Sequence, residues 1–162
     1  MTSLLDTDPV GATEIAAAED AVARLLGTPD EVLLVQAEAI LALEAVARSV
    51  GAPGATAINV VTGPYGALFG DWMRASGARV VDVVSAFDDV VTVEQVVAAL
   101  DAAPEAAVLA LVHAEAATGG VNPAARILSE ARARGVVTVL DAVASVGAEP
   151  VPLADVTVIG GQ

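Results

Sequence analysis

The sequence predicts an α/β fold with three layers, in which a mostly parallel sheet lies between helices on its two faces. Two observations lead to this prediction. Segments with strand character alternate with segments of helical periodicity along the 162 residues. Several predicted strands, such as residues 107–112 and 136–140, are apolar on both faces. Parallel strands covered by helices on both sides have this composition.

Each element follows from local signals. Helices are predicted where apolar residues recur every three or four positions before a glycine or proline: residues 13–26, 38–50, 67–76, 93–102 and 123–134. Thr92 is the predicted N-cap of the fourth helix, and Asn122 of the fifth, with Pro123 at its first position. Strands are predicted at residues 31–35, 57–61, 79–84, 107–112, 136–140 and 156–159. Residues 62–66 form a predicted turn rich in glycine and proline.

Composition excludes several classes of protein. The net charge of −14 opposes binding to a nucleic-acid backbone. The longest uncharged stretch, residues 49–70, is broken by glycines and prolines, so no membrane helix is expected. The N-terminus lacks signal-peptide character, and cysteine is absent, which together favour a cytoplasmic protein without disulfides or a metal site. All seven basic residues are arginine, so the chain contains no lysine.

Unusual residues cluster after the predicted strands. Ligands of open parallel sheets bind at the carboxyl ends of the strands. The loop at residues 62–66 holds the only tyrosine, Tyr65, and the loop at residues 113–120 begins with the only histidine, His113. Asp141 follows a wholly apolar strand. These positions predict a ligand site at one edge of the sheet.

Three segments carry a resemblance to a known family. They are VHAEAATGG at residues 112–120, VLDAVASVGAEP at residues 139–150 and IGGQ at residues 159–162. In this order, each after a strand, they resemble motifs of the class V aminotransferases. These are the alanine–glyoxylate and serine–pyruvate branch of the fold-type I enzymes that use pyridoxal 5′-phosphate (PLP). The resemblance covers about residues 32–162.

The resemblance assigns roles around the cofactor ring. Asp141 is expected to pair with the pyridine nitrogen as a catalytic residue, because a buried carboxylate keeps that nitrogen protonated. Val143 and Tyr65 are expected to pack on the two ring faces. The Thr118 hydroxyl either binds the ring substituents or caps its own turn. Gln162 is expected beside the Schiff-base lysine.

Two further residues of the motif segments have open or structural interpretations. His113 is interpreted equally well as a packed residue at the strand end or as a functional residue. Glu115 is expected to organise its loop by accepting backbone hydrogen bonds.

The phosphate cup departs from the family pattern. Its usual glycines and hydroxyls are replaced by QAEAI at residues 36–40, so Ala37, Glu38 and Ala39 are the expected cofactor contacts there. The Glu38 carboxylate repels a phosphate dianion, and the expectation is that it points away. Gln36 or backbone N–H groups would then hold the phosphate.

The predicted activity moves an amino group between a small amino acid and a 2-oxo acid such as pyruvate or glyoxylate. Residues 1–12 are predicted as an arm and residues 13–162 as an incomplete PLP-binding large domain, in a homodimer. The catalytic lysine is expected directly after Gln162. Three explanations are open: the sequence is interrupted at a covalently modified lysine, the chain is a fragment or half of a split enzyme, or the protein has lost the chemistry.

Other functions remain open at this point. A PLP-dependent lyase or desulfurase on the same scaffold is the first alternative, and a non-catalytic partner subunit is the second. A dinucleotide-binding domain is disfavoured, because no loop has the Gly-x-Gly-x-x-Gly spacing.

Overall fold

The computed structural model describes residues 9–161, and the chain divides into two units, Met1–Gln36 and Ala37–Gln162. The described residues of the first unit contain one helix, α1 (Ala12–Leu26). It ends at Gly27, whose φ of 66° is the left-handed conformation that glycine adopts without strain. Residues 1–8 of the predicted arm lie outside the described residues. The division into an arm and a domain stays a prediction.

The predicted strand at residues 31–35 is wrong. These residues have no regular structure, and the side chains of Leu33, Leu34 and Val35 are 76%, 48% and 56% exposed. A short apolar run is ambiguous by itself, because a strand also needs a neighbouring strand to complete its hydrogen bonds. All five strands of the sheet come from the second unit.

The second unit alternates helices and strands. In chain order its elements are α2 (Ala39–Val50), β1 (Thr56–Val61), α3 (Pro64–Ala75), β2 (Arg79–Val84), α4 (Val93–Ala102), β3 (Ala106–Val112), α5 (Ala124–Arg132), β4 (Val137–Asp141) and β5 (Val156–Val158). The sheet order is β2-β1-β3-β4-β5, and every neighbouring pair is parallel. The predicted α/β fold with a mostly parallel sheet is confirmed.

Two predicted boundaries are wrong. The turn predicted at residues 62–66 ends early, because Pro64 begins α3 and places Tyr65 in its first turn. Proline suits this place, since the first N–H of a helix needs no intrahelical partner. At α5 the N-cap is Pro123 and not Asn122. The Asn122 side chain instead bonds to neighbouring loops.

The sheet is covered on both faces. Val108 and Ala110 of β3 pack with residues of α2 and α3, such as Leu43 and Met73. The alternate residues Leu109 and Leu111 pack in a second cluster, which is formed mainly by α4 and α5. This alternation follows from the two-residue repeat of a strand. Within the described residues, no helix is both long and apolar enough to cross a membrane.

The strand order reverses at β1. From β1 the chain crosses to β2 on one side, and it later returns to β3 on the other side. Connections that leave neighbouring strands in opposite directions open a crevice beyond their carboxyl ends. The fold therefore places its ligand crevice where the loops after β1 and β3 begin.

The short strand β5 is attached to β4 by side-chain hydrogen bonds. The fully buried Thr138 donates its hydroxyl to Asp155 Oδ2 at 2.6 Å, and its N–H donates to the same oxygen at 2.8 Å. In return, the Asp155 N–H donates to Thr138 Oγ1 at 3.0 Å. The Thr138 hydrogen bonds hold the pKa of the Asp155 carboxyl below its usual value of 3.8.

We expect Thr138→Val to lower the free energy of unfolding by about 1–2 kcal/mol, because it removes the two hydrogen bonds between the buried Thr138 hydroxyl and Asp155. Urea denaturation measures this change. Ser49→Ala is the control, since the Ser49 hydroxyl bonds the Ala45 carbonyl at an exposed site and its loss should cost less than about 0.5 kcal/mol. Equal losses in the two variants would contradict the attachment of β5 through Thr138.

Asp155 should also give the fold an acid-sensitive component. Because its folded pKa lies below 3.8, the ionised group contributes stability above that pH, and this contribution is lost as the pH falls through the folded pKa. We expect Asp155→Asn to be less stable than the unaltered chain at pH 6, and the gap to close below about pH 3. A gap that stays constant with pH would rule out ionisation of Asp155 as its cause.

Candidate active site

Asp141 lies at the carboxyl end of β4, next to β3. It pairs with Val112 across the strands, and its side chain lies on the same sheet face as that of Val139, which packs with α2 and α3. The residue is only 7% exposed. Its Oδ1 accepts the Val143 N–H at 2.9 Å, and within the described residues no donor reaches Oδ2.

The surroundings of Asp141 oppose its negative charge. Burial raises the pKa of the Asp141 carboxyl, the Val143 N–H partly offsets this, and the negative charge of Glu115 raises it further. Oδ2 is not among the fully buried unpaired atoms, so a ligand can reach it, and a largely buried carboxylate is stabilised by a cationic donor. The arrangement therefore suits a ligand with a positively charged N–H group, such as a pyridinium.

Val143 connects this carboxylate with the start of α2. It is half-buried, and its Cγ1 lies 3.2 Å from the place of a Cβ on Gly160. The same Cβ place is 3.8 Å from the Ala39 Cβ. A continuous series of neighbours thus leads from Asp141 through Val143 and Gly160 to Ala39. Gln162, the predicted contact beyond β5, lies outside the described residues.

Tyr65 is positioned by the attachment of α3 to the sheet. Asn59 donates from Nδ2 to the Gly66 carbonyl and to Asp82 Oδ1, both at 3.0 Å. A Cβ on Gly66 would lie 2.7 Å from the Val60 carbonyl oxygen, so glycine allows this close approach. Tyr65 itself is 41% exposed at the helix start.

Glu115 is buried without full pairing. It is 0% exposed, its Oε2 has no hydrogen-bond partner, and its Oε1 accepts the Ala117 N–H at a long 3.5 Å. Its predicted organising role falls mainly to its main-chain carbonyl, which accepts the N–H groups of Thr118 and Gly119. Gly63 packs against the Glu115 side chain, where a Cβ would lie 2.4 Å from Cγ.

Thr118 caps its own turn. Its Oγ1 accepts the Gly120 N–H at 3.2 Å, which is one of its two predicted roles. The hydroxyl proton remains able to donate to a ligand. Among the described residues, no hydrogen bond joins Thr118 or Tyr65 to Asp141 or Val143.

His113 is a packed residue at the end of β3. Its ring is buried, and its Nδ1 lies 2.9 Å from the buried Ser145 Oγ. Burial lowers the pKa of His113, and the charge of Glu149 partly opposes this. The pair joins the loop after β4 to the end of β3, so the ring of His113 has a structural partner.

Asn122 joins three loops at the same edge, a role that its sequence context did not indicate. Its Nδ2 donates to Thr62 Oγ1 at 3.0 Å and to the Val112 carbonyl at 2.8 Å, and its Oδ1 accepts the Val91 N–H at 3.3 Å. Thr62 is sixty residues away in the chain. Only the folded sheet brings these partners together, so no local signal could have identified the position.

The start of α2 offers few groups that attract phosphate. Glu38 is its N-cap, is exposed and makes no side-chain cap hydrogen bond. Ala37 and Ala39 on either side carry no hydroxyl group. The residues at Asp141 and Val143 therefore fit the ring of PLP, and the start of α2 offers backbone N–H groups, beside the exposed Glu38, for its phosphate.

The chain is similar to two curated transaminases, and it spans about a third of the length of each. It is 27% identical over 146 residues to the pyridoxamine–pyruvate transaminase of Mesorhizobium japonicum, covering 90% of this chain and 37% of that protein. It is 29% identical over 122 residues to the 2-aminoethylphosphonate–pyruvate transaminase of Lactiplantibacillus plantarum, covering 75% and 33%.

Solved structures show the same relationship. The pyridoxamine–pyruvate aminotransferase of Mesorhizobium loti matches with a TM-score of 0.84 at 26% identity, over 89% of this chain and 38% of that one. The alanine–glyoxylate aminotransferase of Nostoc sp. matches with a TM-score of 0.79 at 28% identity, over 91% and 41%. The sequence model of the aminotransferase class-V family matches residues 10–162. The chain belongs to the class-V aminotransferase family.

Proposed function

We propose that this chain holds the cofactor ring of a PLP-dependent aminotransferase, which moves an amino group between a small amino acid and a 2-oxo acid such as pyruvate or glyoxylate. Family membership supports the reaction type. The names of both curated relatives include pyruvate, and one structural relative is named for glyoxylate. Transfer to a short 2-oxo acid is the activity that they share.

The observation that carries the proposal is the buried Asp141 carboxylate with its unused Oδ2. It stands at the carboxyl edge of a parallel sheet, where such folds bind ligands. A protonated pyridine nitrogen would supply both the missing hydrogen bond and the missing positive charge. Glu115 is the one other residue of the described site that combines burial with a free acceptor oxygen. Gly63 packs against the Glu115 side chain and covers it.

Each residue then has a defined task. Bound PLP supplies an electron-accepting ring, and this capacity depends on a proton at the ring nitrogen. Asp141 holds that proton by hydrogen bonding and charge. Val143 supports one ring face and Tyr65 covers the other, which limits the access of water. Thr118 donates its hydroxyl proton toward the ring substituents.

The reaction also needs an amine that removes and returns a proton. No residue of this chain is a lysine, so the catalytic amine comes from outside these 162 residues.

We place the protein in the cytoplasm, which suits a chain without cysteine. We also propose a homodimer, on the basis of the family resemblance, and sedimentation of the purified protein at micromolar concentration tests that assembly.

Asp141→Asn should change binding and stability in opposite directions. We expect the affinity for vitamin B6 forms to fall roughly 10- to 100-fold, because a charged hydrogen bond to the ring is lost. Quenching of Trp72, the only tryptophan, reports this binding. Pyridoxamine and PLP are titrated in parallel, so that either form of the ring can reveal the site.

The same substitution should stabilise the ligand-free chain near pH 7. The raised pKa of Asp141 means that stability is lost as the pH rises through the folded pKa, and asparagine removes that loss. The two denaturation curves should therefore converge below about pH 4. Asp88→Asn, at an exposed loop site, serves as the control that should alter neither quantity. If no form of the ring binds, or if Asp141→Asn binds as the unaltered chain does, the proposed function is wrong.

A further inference from the structure

We propose that Glu115 is a second buried carboxylate of the ring-nitrogen site and makes that site selective for a ring whose nitrogen is protonated. The inference rests on the proposed function, because it concerns the ligand that Asp141 holds. Glu115 acts here as a positioning residue, since it is 0% exposed and its charge acts on the ring from behind Asp141. The ligand class that the two carboxylates favour is a cationic nitrogen heterocycle.

Glu115 lies between the start of α3 and the end of β4. A Cβ on Gly63, the N-cap of α3, would lie 2.5 Å from Glu115 Cδ and 2.7 Å from its Oε2. Toward β4, the His113 N–H donates to the Asp141 carbonyl at 2.8 Å. Glu115 follows His113 by two residues, which span at most roughly 7 Å of chain. Glu115 is therefore a neighbour of both elements.

The Glu115 carboxylate is stabilised by a helix end and only weakly by hydrogen bonds. Its Oε2 has no hydrogen-bond partner, and its Oε1 accepts the Ala117 N–H at 3.5 Å. The N-terminus of α3 carries a partial positive charge, but Pro64 at its first position has no N–H to donate. The helix end thus attracts the negative charge of Glu115 and leaves Oε2 unpaired.

Within the second unit, no basic side chain pairs with Asp141 or Glu115. Five of its six arginines pair with other acidic side chains, and the sixth binds a main-chain oxygen. The pairs are Arg48–Glu44, Arg74–Asp82, Arg79–Glu105, Arg126–Glu94 and Arg134–Asp101, and Arg132 donates to the Leu153 carbonyl. The His113 ring bonds to Ser145 and feels the charge of Glu149. A cation that balances the two buried carboxylates therefore has to come from a ligand.

The two carboxylates act together on a charged ring. Burial raises the pKa of the Asp141 carboxyl, and the negative charge of Glu115 raises it further, against the effect of the Val143 N–H. The same charge attracts a protonated ring nitrogen at Asp141, whereas an uncharged ring of equal shape gains nothing from it. Because Glu115 is fully buried, salt screens this attraction only weakly.

The test varies the ring nitrogen and the charge of Glu115 separately. Calorimetric titration near pH 7 compares pyridoxine and its 5′-phosphate, each with its 1-deaza analogue, in which a C–H group replaces the ring nitrogen. We expect the unaltered protein to bind the nitrogen ring roughly tenfold more tightly than the analogue. Glu115→Gln should weaken binding of the nitrogen ring roughly fivefold and leave binding of the analogue within about twofold.

A conservative variant separates charge from packing. Glu115→Asp keeps the charge on a shorter side chain, and we expect it to retain the preference for the nitrogen ring. Glu115→Gln keeps the shape without the charge and should lose most of that preference. The ultraviolet absorption of the bound ring reports its protonation, and the proton affinity of its nitrogen should fall roughly fivefold in Glu115→Gln. A residue needed only for packing would leave this proton affinity unchanged.

Glu94→Gln is the matched control. Glu94 is also an acidic residue at the start of a helix, α4, but that helix packs on the opposite face of the sheet. Its substitution removes the same charge and should leave both affinities and the protonation of the bound ring unchanged.

The outcomes separate this inference from the proposed function. If neither form of the nitrogen ring binds the unaltered protein, the proposed function fails, and the inference fails with it. If the ring binds but Glu115→Gln keeps the full preference, or if Glu94→Gln loses it equally, the role of Glu115 is wrong while ring binding stands. Failure of Glu115→Gln to fold would also overturn the inference, because removing an unpaired buried charge without changing the shape should not destabilise the protein.

Discussion

The parallel direction of every strand is the constraint on which the rest of the structure depends. Each connection must return over a face of the sheet, so both faces become covered by helices and the strands become apolar on both sides. Polar side chains that a ligand can reach are then expected at the ends of the strands. The reversal of strand order at β1 selects one end, because the chain leaves β1 and β3 in opposite directions there.

The carboxyl edge is held together by polar side chains that link different loops. Asn122 ties the ends of β1 and β3, and the His113–Ser145 pair ties β3 to the loop after β4. These buried groups have their hydrogen bonds satisfied within the protein. Asp141 and Glu115 differ, since each retains a carboxylate oxygen without a donor. The paired polar groups thus form a frame in which the Asp141 Oδ2 stays without a protein donor.

The two halves of the candidate site follow different chemistry. At Asp141 and Val143 the residues match what a protonated pyridine requires. At Glu38 the usual attraction between a helix N-terminus and an anion is opposed by a carboxylate at the N-cap. Gly160 lies between Val143 and Ala39, so the acidic helix start is a neighbour of the Asp141 loop.

The sequence by itself determined the layered fold, the alternation of its helices and strands, and the strand ends near which Asp141, Tyr65 and Thr118 lie. It could do so because strand and helix periods, glycine stops and motif order are local features of the chain. It did not show that residues 31–35 lack a strand partner, that Tyr65 begins a helix or that Asn122 reaches Thr62. Only the tertiary structure decided these points, because pairing, burial and hydrogen bonding between distant residues depend on which segments the sheet brings side by side.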